Sequence, residues 1–388
     1  MVKKAMKAAV LATALAFTLS ACGTAGGTNT SDLPTKLGDS EATLSLLGWP
    51  GYAEDGTNDP AIDWVTPFEE ATGCQVTFKP YGTSDEAISL FKSGDYDVIA
   101  ASGDATLRLI AAGDVQQLNT DLIPSYANVY DFLKGKAWNT VDGKVYGVPH
   151  GYGANLLMYK KDVVSPEPTS WDVVFDKASA YSGKVTAYDS PIYIADAAVY
   201  LMAHKPELGI KNPYALDETQ LQAAVDLLKA QRAHVGEYWS DYLKEIQAFE
   251  TGDSVVGTTW QVIVNSMSAE ANVGAVLPSE GATGWSDSWM ISSTTKSPNC
   301  AYRWLDYIDS PEANAAATEY FGEAPVTQAA CDFMSSADTC TSYHAGDAEY
   351  ASKIWYWTTP IATCLDGRTD VQCTDYARWT EAWTEIKG

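Results

Sequence analysis

The sequence predicts an α/β fold of two lobes with a cleft between them. Short apolar strands alternate with helices along most of the chain, which is typical of α/β proteins with parallel strands. The chain has 388 residues, 46% of them hydrophobic, so it exceeds one ordinary domain and can bury more than one core. A glycine-rich, extended stretch at residues 142–164 separates two such alternating regions and is predicted to cross between the lobes.

Before the crossing, the first helix shows the expected helical spacing. Trp64 and Phe68 lie four residues apart, and Gly73 favours a helix end. The predicted elements are, in order, a strand at residues 43–49, a helix in DWVTPFEEATG, a strand in CQVTFKPYG, a helix capped by Ser84, a strand at Val98–Ala101 and a helix in GDATLRLIAAGDVQQL.

After the crossing, a second alternation of the same kind follows. Residues 147–153 within the crossing are a candidate hinge, with an ordinary turn-rich loop as the equal alternative. The predicted elements are a helix capped by Ser170, a strand in KVTAYDS, a helix in PIYIADAAVYLM with Pro191 at its first position, an amphipathic helix in DETQLQAAVDLLKAQ, a strand in SVVGTTW, the extended stretch GATGWSDSWMIS and two helices ending near Phe321.

The stretch GATGWSDSWMIS sets a carboxylate between two indoles. Trp285, Asp287 and Trp289 alternate, so on a strand all three side chains would point to one face. Burying a carboxylate between indoles is unfavourable unless a positive group meets it. The pattern therefore predicts that Asp287 binds a cation.

Other candidate residues lie where predicted strands run into loops. Ligands of open α/β sheets bind outside the carboxyl ends of the strands. Five separate strand ends carry aromatic, acidic or hydroxyl groups, which together favour a binding cleft: Trp49 and Tyr52; Ser102 and Asp104; Asp189 and Ser190; Trp260; Trp285 and Asp287.

The N-terminus predicts export and a lipid anchor. Residues 1–21 combine a basic start with an apolar run too short to span a membrane, as in a signal peptide. The sequence LSAC resembles the bacterial lipobox, which implies cleavage before Cys22 and lipidation of its thiol. Residues 22–42 are rich in Gly, Thr and Ser and are expected to form a flexible tether. The expected location is the outer face of the bacterial cytoplasmic membrane.

Charge and motif content limit the partners. The net charge of −25 argues against nucleic acid and fits a solvated, exported surface. The sequence lacks G-x-S-x-G, H-E-x-x-H and C-x-x-C, and EDGTND at residues 54–59 lacks the distal glutamate of a calcium loop. We therefore expect no cofactor, no metal and no catalytic residue, in a chain that works as a monomer.

Six cysteines beyond Cys22 are expected to form disulfides, since an exported protein matures in an oxidising environment. Six cysteines allow 15 connectivities. Short loops favour two of the pairs and leave the third by elimination: Cys331–Cys340, Cys364–Cys373 and Cys74–Cys300.

From residue 43 to residue 327 the chain resembles the solute-binding proteins of ABC importers, and most closely their spermidine/putrescine-binding branch. The resemblance is carried by the order and spacing of LLGWPGYAEDG, PFEEATGCQV, YDVIAASGD, KVYGVPHGYGANLLMY, TTW, GWSDSWMIS and FGEAPVT. It implies the two-lobed, type II periplasmic-binding-protein-like fold, with the ligand cleft between lobes that are joined by hinge crossings. The expected first lobe comprises residues 43–148 and 288–328, the second comprises residues 149–287, and the Cys-rich residues 329–388 pack back on both.

The resemblance also implies roles for particular residues. In the family an aspartate on the strand returning through the cleft grips an ammonium, and Asp287 matches it. The other matches are the aromatic residues Trp49, Tyr52, Trp260 and Trp285, the hydroxyl of Ser102, and Asp189 with Asp196 as its rival. Three positions depart from the family pattern and are expected to line the same cleft with exchanged acids and aromatics: Asp104, Tyr193 and Glu323.

These matches imply a binding protein that captures a polyamine-like cation and delivers it to the permease and ATPase subunits of an importer. A sugar or a quaternary ammonium solute remains an alternative, since tryptophans also stack on pyranose rings and form cages around methylated cations. A secreted glycosidase is the alternative from another class, because paired carboxylates beside aromatics also describe such enzymes.

Overall fold

A computed structural model of the protein describes residues 33–388. The signal peptide expected at residues 1–21, the lipid-bearing Cys22 and most of the expected tether lie outside the described residues. Pro34–Gly388 form one compact unit. Within the described part of the chain, no helix is long and apolar enough to cross a membrane.

The described residues contain strands and helices with the following bounds. The strands are β1 Thr43–Gly48, β2 Gln75–Pro80, β3 Val98–Ala101, β4 Thr140–Val141, β5 Lys144–Val145, β6 Val148–Lys160, β7 Val185–Tyr188, β8 Val235–Trp239, β9 Val256–Trp260, β10 Val273–Val276, β11 Ala282–Ile291, β12 Ala324–Pro325 and β13 Ile354–Tyr356. The helices are α1 Val65–Thr72, α2 Ser84–Phe91, α3 Gly103–Ala112, α4 Ile194–His204, α5 Glu218–Arg232, α6 Tyr242–Thr251, α7 Gln261–Ser266, α8 Pro298–Ile308, α9 Pro311–Phe321, α10 Ala337–Ser342, α11 Ala348–Ala351 and α12 Tyr376–Lys387.

One sheet of 11 strands runs through both lobes. Eight of them follow the order β2-β1-β3-β11-β6-β9-β7-β8, while β10 and β12 also pair with β6, and β13 pairs with β11. The first lobe holds the parallel strands β1, β2 and β3, and the second holds the parallel strands β7, β8 and β9. The long strands β6 and β11 pair with each other and join the two halves. The expected two-lobed α/β fold is therefore confirmed.

The crossing is a strand rather than a turn-rich loop. β6 is 13 residues long; its first half pairs with β11 and its second half with β9. The pairing with β11 shifts register between Asp287 and Ser288, where His150 of β6 forms a bulge. Gly151 and Gly153 of the crossing thus lie inside a paired strand, and β6 is buried along most of its length.

Several element boundaries differ from the sequence prediction because of local capping. α2 begins at Ser84 and is capped by Thr83, whose side chain accepts from the Glu86 N–H. The helix expected after Ser170 is instead two short 3-10 turns, although Ser170 does accept from the Asp172 N–H. The helix expected from Pro191 begins as a 3-10 turn and becomes α-helical at Ile194.

Each lobe has an aromatic-rich core. In the first lobe, Trp304 packs edge-on against both Phe68 and Trp289, with ring centroids 5.1 and 5.6 Å apart. In the second lobe, Trp171 and Leu221 are fully or almost fully buried. Burial of such side chains contributes roughly 1.5–3 kcal/mol each, so both cores stabilise the fold.

Disulfides join Cys331 to Cys340 and Cys364 to Cys373, the pairs that loop length favours, and Cys74 to Cys300, the pair expected by elimination. The Cys74–Cys300 bond connects residues 226 positions apart and ties the end of α1 to α8 in the first lobe. The other two bonds each close a loop of 9 residues within the C-terminal segment.

The C-terminal segment contacts both lobes. β13 pairs in parallel with the start of β11. Just beyond it, the Thr359 hydroxyl bonds to the Gly103 carbonyl at the beginning of α3 in the first lobe. α12 then packs against α5 in the second lobe. The segment therefore passes alongside the space between the lobes.

Candidate functional site

Asp287 is a buried carboxylate whose hydrogen bonding is incomplete. It lies on β11 and is 2% exposed. The Tyr52 hydroxyl donates to Asp287 Oδ2 at 2.8 Å, whereas Oδ1 has no hydrogen-bond partner among residues 33–388. Burial raises the pKa of Asp287 to about 6, and the nearby Ser102, Tyr52 and Trp49 side chains offset part of that rise. The site therefore contains an acid that a cation would stabilise.

The two indoles beside Asp287 have different surroundings. Trp289 is fully buried in the first-lobe core, where its ring centroid lies 6.1 Å from that of Tyr52. Trp285 packs against Trp260 of the second lobe, with centroids 5.3 Å apart. Asp287 therefore lies where the first-lobe core meets the aromatic residues of the second lobe.

Glu323 adds a second buried acid near Asp287. It is 0% exposed, and the Trp285 indole N–H donates to its Oε2 at 3.4 Å. His150 Nε2 lies 3.7 Å from Glu323 Oε1, but burial lowers the pKa of His150 to about 3, so this histidine is neutral and supplies no balancing charge. Burial and the neighbouring Asp287 raise the pKa of Glu323 well above its usual range.

Two glycines of β6 make room for these side chains. A Cβ at Gly151 would lie 2.1 Å from Glu323 Cδ, and a Cβ at Gly153 would lie 2.3 Å from the Trp285 ring. Contacts this short do not occur, so only glycine lets the acid and the indole lie against the strand. The glycine-rich sequence of the crossing thus serves the site directly.

Trp49 and Ser102 come together at the ends of neighbouring strands of the first lobe. The Trp49 indole N–H donates to Ser102 Oγ at 3.1 Å. Trp49 also packs against Tyr81, with ring centroids 4.6 Å apart. Both side chains also lower the pKa of Asp287.

Asp104 is a third buried acid, placed in the first turn of α3. It is 4% exposed, and its Oδ1 accepts from the Ser84 hydroxyl at 2.9 Å. Burial raises its pKa to about 7; Ser84 and Arg108 oppose the rise, and the charge of Asp287 adds to it. Arg108 itself pairs with Asp85 at 2.7 Å, so its charge is shared with an exposed acid.

Four aromatic rings are linked in a closed series near these acids: Tyr188, Trp260, Trp285 and Trp357. Successive ring centroids lie 5.6 Å apart for Tyr188 and Trp260, 5.3 Å for Trp260 and Trp285, 6.3 Å for Trp285 and Trp357, and 5.6 Å for Trp357 and Tyr188. Sequence reasoning missed Tyr188 and Trp357. Tyr188 could have been found as the last residue of the predicted strand before Asp189, and Trp357 from the aromatic-rich sequence WYWTTP in the C-terminal segment.

The structure gives two predicted site residues partners outside this cluster. Asp189 pairs with Lys387 Nζ at 2.6 Å and accepts from the Trp383 indole at 3.2 Å, so α12 neutralises it. Tyr193 is 1% exposed in the second-lobe core, where its hydroxyl accepts from Gln231 at 3.0 Å.

Asp196, the rival of Asp189, lies behind the aromatic residues rather than among them. Its Oδ2 accepts from the Thr283 hydroxyl at 3.0 Å, and Thr283 Oγ1 in turn accepts from the Asn155 amide. Asn155 Oδ1 accepts from the Trp260 indole N–H at 3.0 Å. This buried series of hydrogen bonds fixes the orientation of Trp260 from the second-lobe interior.

The bacterial extracellular solute-binding protein family matches this chain over residues 63–343. The match covers more than half of the chain, and the chain belongs to this family. The recognition of a solute-binding protein from its sequence motifs is therefore confirmed.

Among individual proteins, the chain is similar to the putrescine/cadaverine-binding protein of Pseudomonas aeruginosa, with 24% identity over 363 residues that cover 89% of this chain and 93% of that protein. It is 26% identical over 293 residues to the putrescine/agmatine-binding protein of the same organism, covering 69% and 77% of the two chains. The solved TpPotD lipoprotein of Treponema pallidum has a TM-score of 0.70 at 17% identity, covering 89% and 99% of the two chains. The similarity to the TpPotD structure supports the two-lobed fold.

Gly153→Ala should displace the Trp285 indole, because its Cβ would overlap that ring. We expect a changed tryptophan fluorescence spectrum and a loss of stability of about 1–3 kcal/mol, the usual range for overpacking. Gly82→Ala is the matched control, since its Cβ would meet only Glu86 Oε2 at 3.4 Å. Equal spectra and stabilities for the two variants would contradict the close packing of Trp285 on β6.

Without a ligand, stability should fall as pH rises from about 4 to 7. Folded Asp287 and Asp104 hold protons up to pKa values of about 6 and 7, whereas unfolded carboxyl groups release them near 3.8. In this range the folded state therefore binds more protons than the unfolded state. As the pH rises through it, the free energy of unfolding falls by about 1.4 kcal/mol for each unit between a group's unfolded and folded pKa values. Urea unfolding at several pH values measures this, and Asp104→Asn should flatten the dependence.

Proposed function

We propose that this chain is the solute-binding component of an ABC importer and captures a small organic cation of the polyamine class between its lobes. It would deliver the cation to membrane permease and ATPase subunits. A lipid on Cys22 would hold it, as a monomer, on the outer face of the cytoplasmic membrane. We further propose that it binds without catalysing a reaction.

The observation that carries this proposal is the buried Oδ1 of Asp287, which has no hydrogen-bond partner among residues 33–388 and lies near a second buried acid, Glu323. A desolvated carboxylate without a partner is unfavourable by several kcal/mol, roughly. A bound ammonium would relieve this because charge-assisted hydrogen bonds are about twice as strong as neutral ones. A neutral sugar would leave the charge uncompensated.

Aromatic rings beside these acids favour a cation that also has apolar groups. Trp285 contacts Glu323 on one side and Trp260 on the other, so methylene groups could extend from the acids over the rings. Ring faces attract both methylenes and ammonium groups, the latter by roughly 0.5–2 kcal/mol per contact. The names of the two Pseudomonas aeruginosa relatives support a short diamine.

Closure of the lobes would follow from the placement of these groups. The acids lie on β11 and on the loop before β12, whereas Trp260 and Tyr188 end strands of the second lobe. A solute held by both sets would therefore draw the lobes together. We propose that the hinge lies in the paired strands β6 and β11, at the candidate residues 147–153.

A thermal-shift screen against putrescine, spermidine, maltose and choline tests the class of solute. We expect the amines to stabilise the protein by about 4 kcal/mol at 1,000 times their dissociation constant. Their affinity should weaken as ionic strength rises, because an ion pair is screened by salt. Stabilisation by maltose alone would assign a sugar, and stabilisation by choline alone would assign a quaternary ammonium solute. If no amine shifts the melting temperature, the polyamine assignment is wrong.

Asp287→Asn should fold normally and bind putrescine about 2–5 kcal/mol more weakly, as for loss of one partner in a buried charge pair. Isothermal titration calorimetry measures the affinity, and circular dichroism checks the fold. The control is Asp131→Asn, whose side chain is 100% exposed. Wild-type affinity in Asp287→Asn would show that this acid has only a structural role.

A further inference from the structure

Asp309 is a buried acid of the first lobe that lies outside the site described above. It follows Ile308, the last residue of α8, and is 1% exposed. Neither of its carboxylate oxygens has a hydrogen-bond partner among residues 33–388, whereas Asp287 lacks a partner at only one oxygen. A carboxylate that is desolvated so completely is unfavourable unless a positive group or a proton meets it.

The surroundings of Asp309 attract positive charge and do not supply it. Burial and the nearby Asp306 raise the pKa of Asp309 well above its usual range, and no basic side chain of the described residues opposes the rise. The last carbonyl groups of α8 add partial negative charge, since the end of a helix lacks N–H partners for them. α9 begins two residues later, at Pro311, but none of its N–H groups bonds to Asp309.

Two further oxygen-bearing side chains lie at this end of α8. Asp306 precedes Asp309 by three residues, so both lie on one face of the helix. Asp306 Oδ1 accepts from the Ser125 N–H at 2.8 Å, which holds the short turn Pro124–Asn128 against α8. Ser125 is 8% exposed, and its hydroxyl has no partner in the described part of the chain. Asp306 thus stands between two buried groups that lack partners.

Tyr126, the next residue of the turn, also responds to the charge of Asp309. Burial raises the pKa of Tyr126, and Asp309 adds to the rise, while a hydrogen bond with the Gly135 backbone opposes it. Asp309 therefore acts on the turn as well as on its own helix. The oxygens of Asp309, Asp306 and Ser125 belong to one junction between α8 and this turn.

We propose that Asp309, Asp306 and Ser125 bind a calcium ion between the end of α8 and the turn Pro124–Asn128. Two carboxylates balance the charge of the ion, and a bidentate Asp309 with the other two residues supplies about four of its six to eight oxygen ligands. Main-chain carbonyls or water complete the shell. Magnesium is less suited, because it dehydrates reluctantly and demands octahedral geometry.

The sequence predicts no metal because the residues of this junction form no motif. Ser125 and Asp306 are 181 positions apart, and only the packing of the turn on α8 joins them. The ion would fasten the turn to α8 and so stabilise the first lobe. This role is separate from capture of a solute between the lobes.

Isothermal titration calorimetry with CaCl2, on the exported chain freed of metal with EDTA and then dialysed, tests the site. We expect one calcium ion per wild-type chain, much weaker binding of MgCl2, and a calcium-dependent rise in melting temperature. Asp309→Asn should weaken calcium binding about 30-fold or more, as for loss of one partner in a buried charge pair. Ser125→Ala should weaken it by a smaller factor.

The stability of the metal-free proteins separates an ion site from an acid that only supports the fold. Metal-free Asp309→Asn should be at least as stable as the metal-free wild type, because the substitution removes a buried charge that has no partner. Urea unfolding in EDTA measures this. A large loss of stability in Asp309→Asn under these conditions would contradict the proposal. If this variant does not fold, calcium binding by Ser125→Ala decides the matter.

Three further variants locate the ion. Asp131→Asn removes a fully exposed acid, and Asp59→Asn removes an exposed acid of the segment EDGTND. Both should keep the calcium affinity of the wild type, and so should Asp287→Asn in the site between the lobes. Loss of binding in any of these three but not in Asp309→Asn would place the ion elsewhere and overturn the proposal.

Failure of the wild type to bind calcium would also overturn it, and a proton would then be the group that neutralises Asp309. Wild-type calcium affinity in both Asp309→Asn and Ser125→Ala would have the same meaning. Loss of affinity confined to these two variants would support the site. None of these results bears on the proposed function, which depends on binding of an organic cation and is tested separately.

Discussion

The central constraint on this structure is the burial of an acid that the protein does not neutralise. Asp287 is fixed by strand pairing on both sides of β11 and by the Tyr52 hydroxyl, yet one of its oxygens has no partner among the described residues. His150 is close enough to Glu323 to compensate it but is held neutral by burial. The fold thus maintains unfavourable charge burial, which a cation of the right size would relieve.

The strands that carry the acids also join the lobes. β11 pairs with β3 of the first lobe and with β6, and β6 continues into pairing with β9 of the second. Gly151 and Gly153 let Glu323 and Trp285 lie directly against β6. The proposed movement of one lobe relative to the other would act on the strands that carry these side chains, and so would couple occupancy of the site to the arrangement of the lobes.

The C-terminal segment changes the chemistry of the second lobe's side of the site. Lys387 neutralises Asp189, and Trp357 adds a ring beside Tyr188. The segment contacts the first lobe as well, since Thr359 bonds to the start of α3. The C-terminal segment, which contains two short disulfide loops, thereby neutralises the charge of Asp189 and supplies the aromatic ring of Trp357.

The sequence by itself determined the α/β alternation, the strand ends that carry Trp260 and Asp287, and the short-loop disulfides, because periodicity and spacing are local properties. It did not determine that Asp189 would be neutralised, because its partner Lys387 lies 198 residues away. Nor did it place Trp357 in the site, since only the pairing of β13 with β11 brings that residue there. Tertiary structure decided these points because partners distant in sequence leave no local pattern.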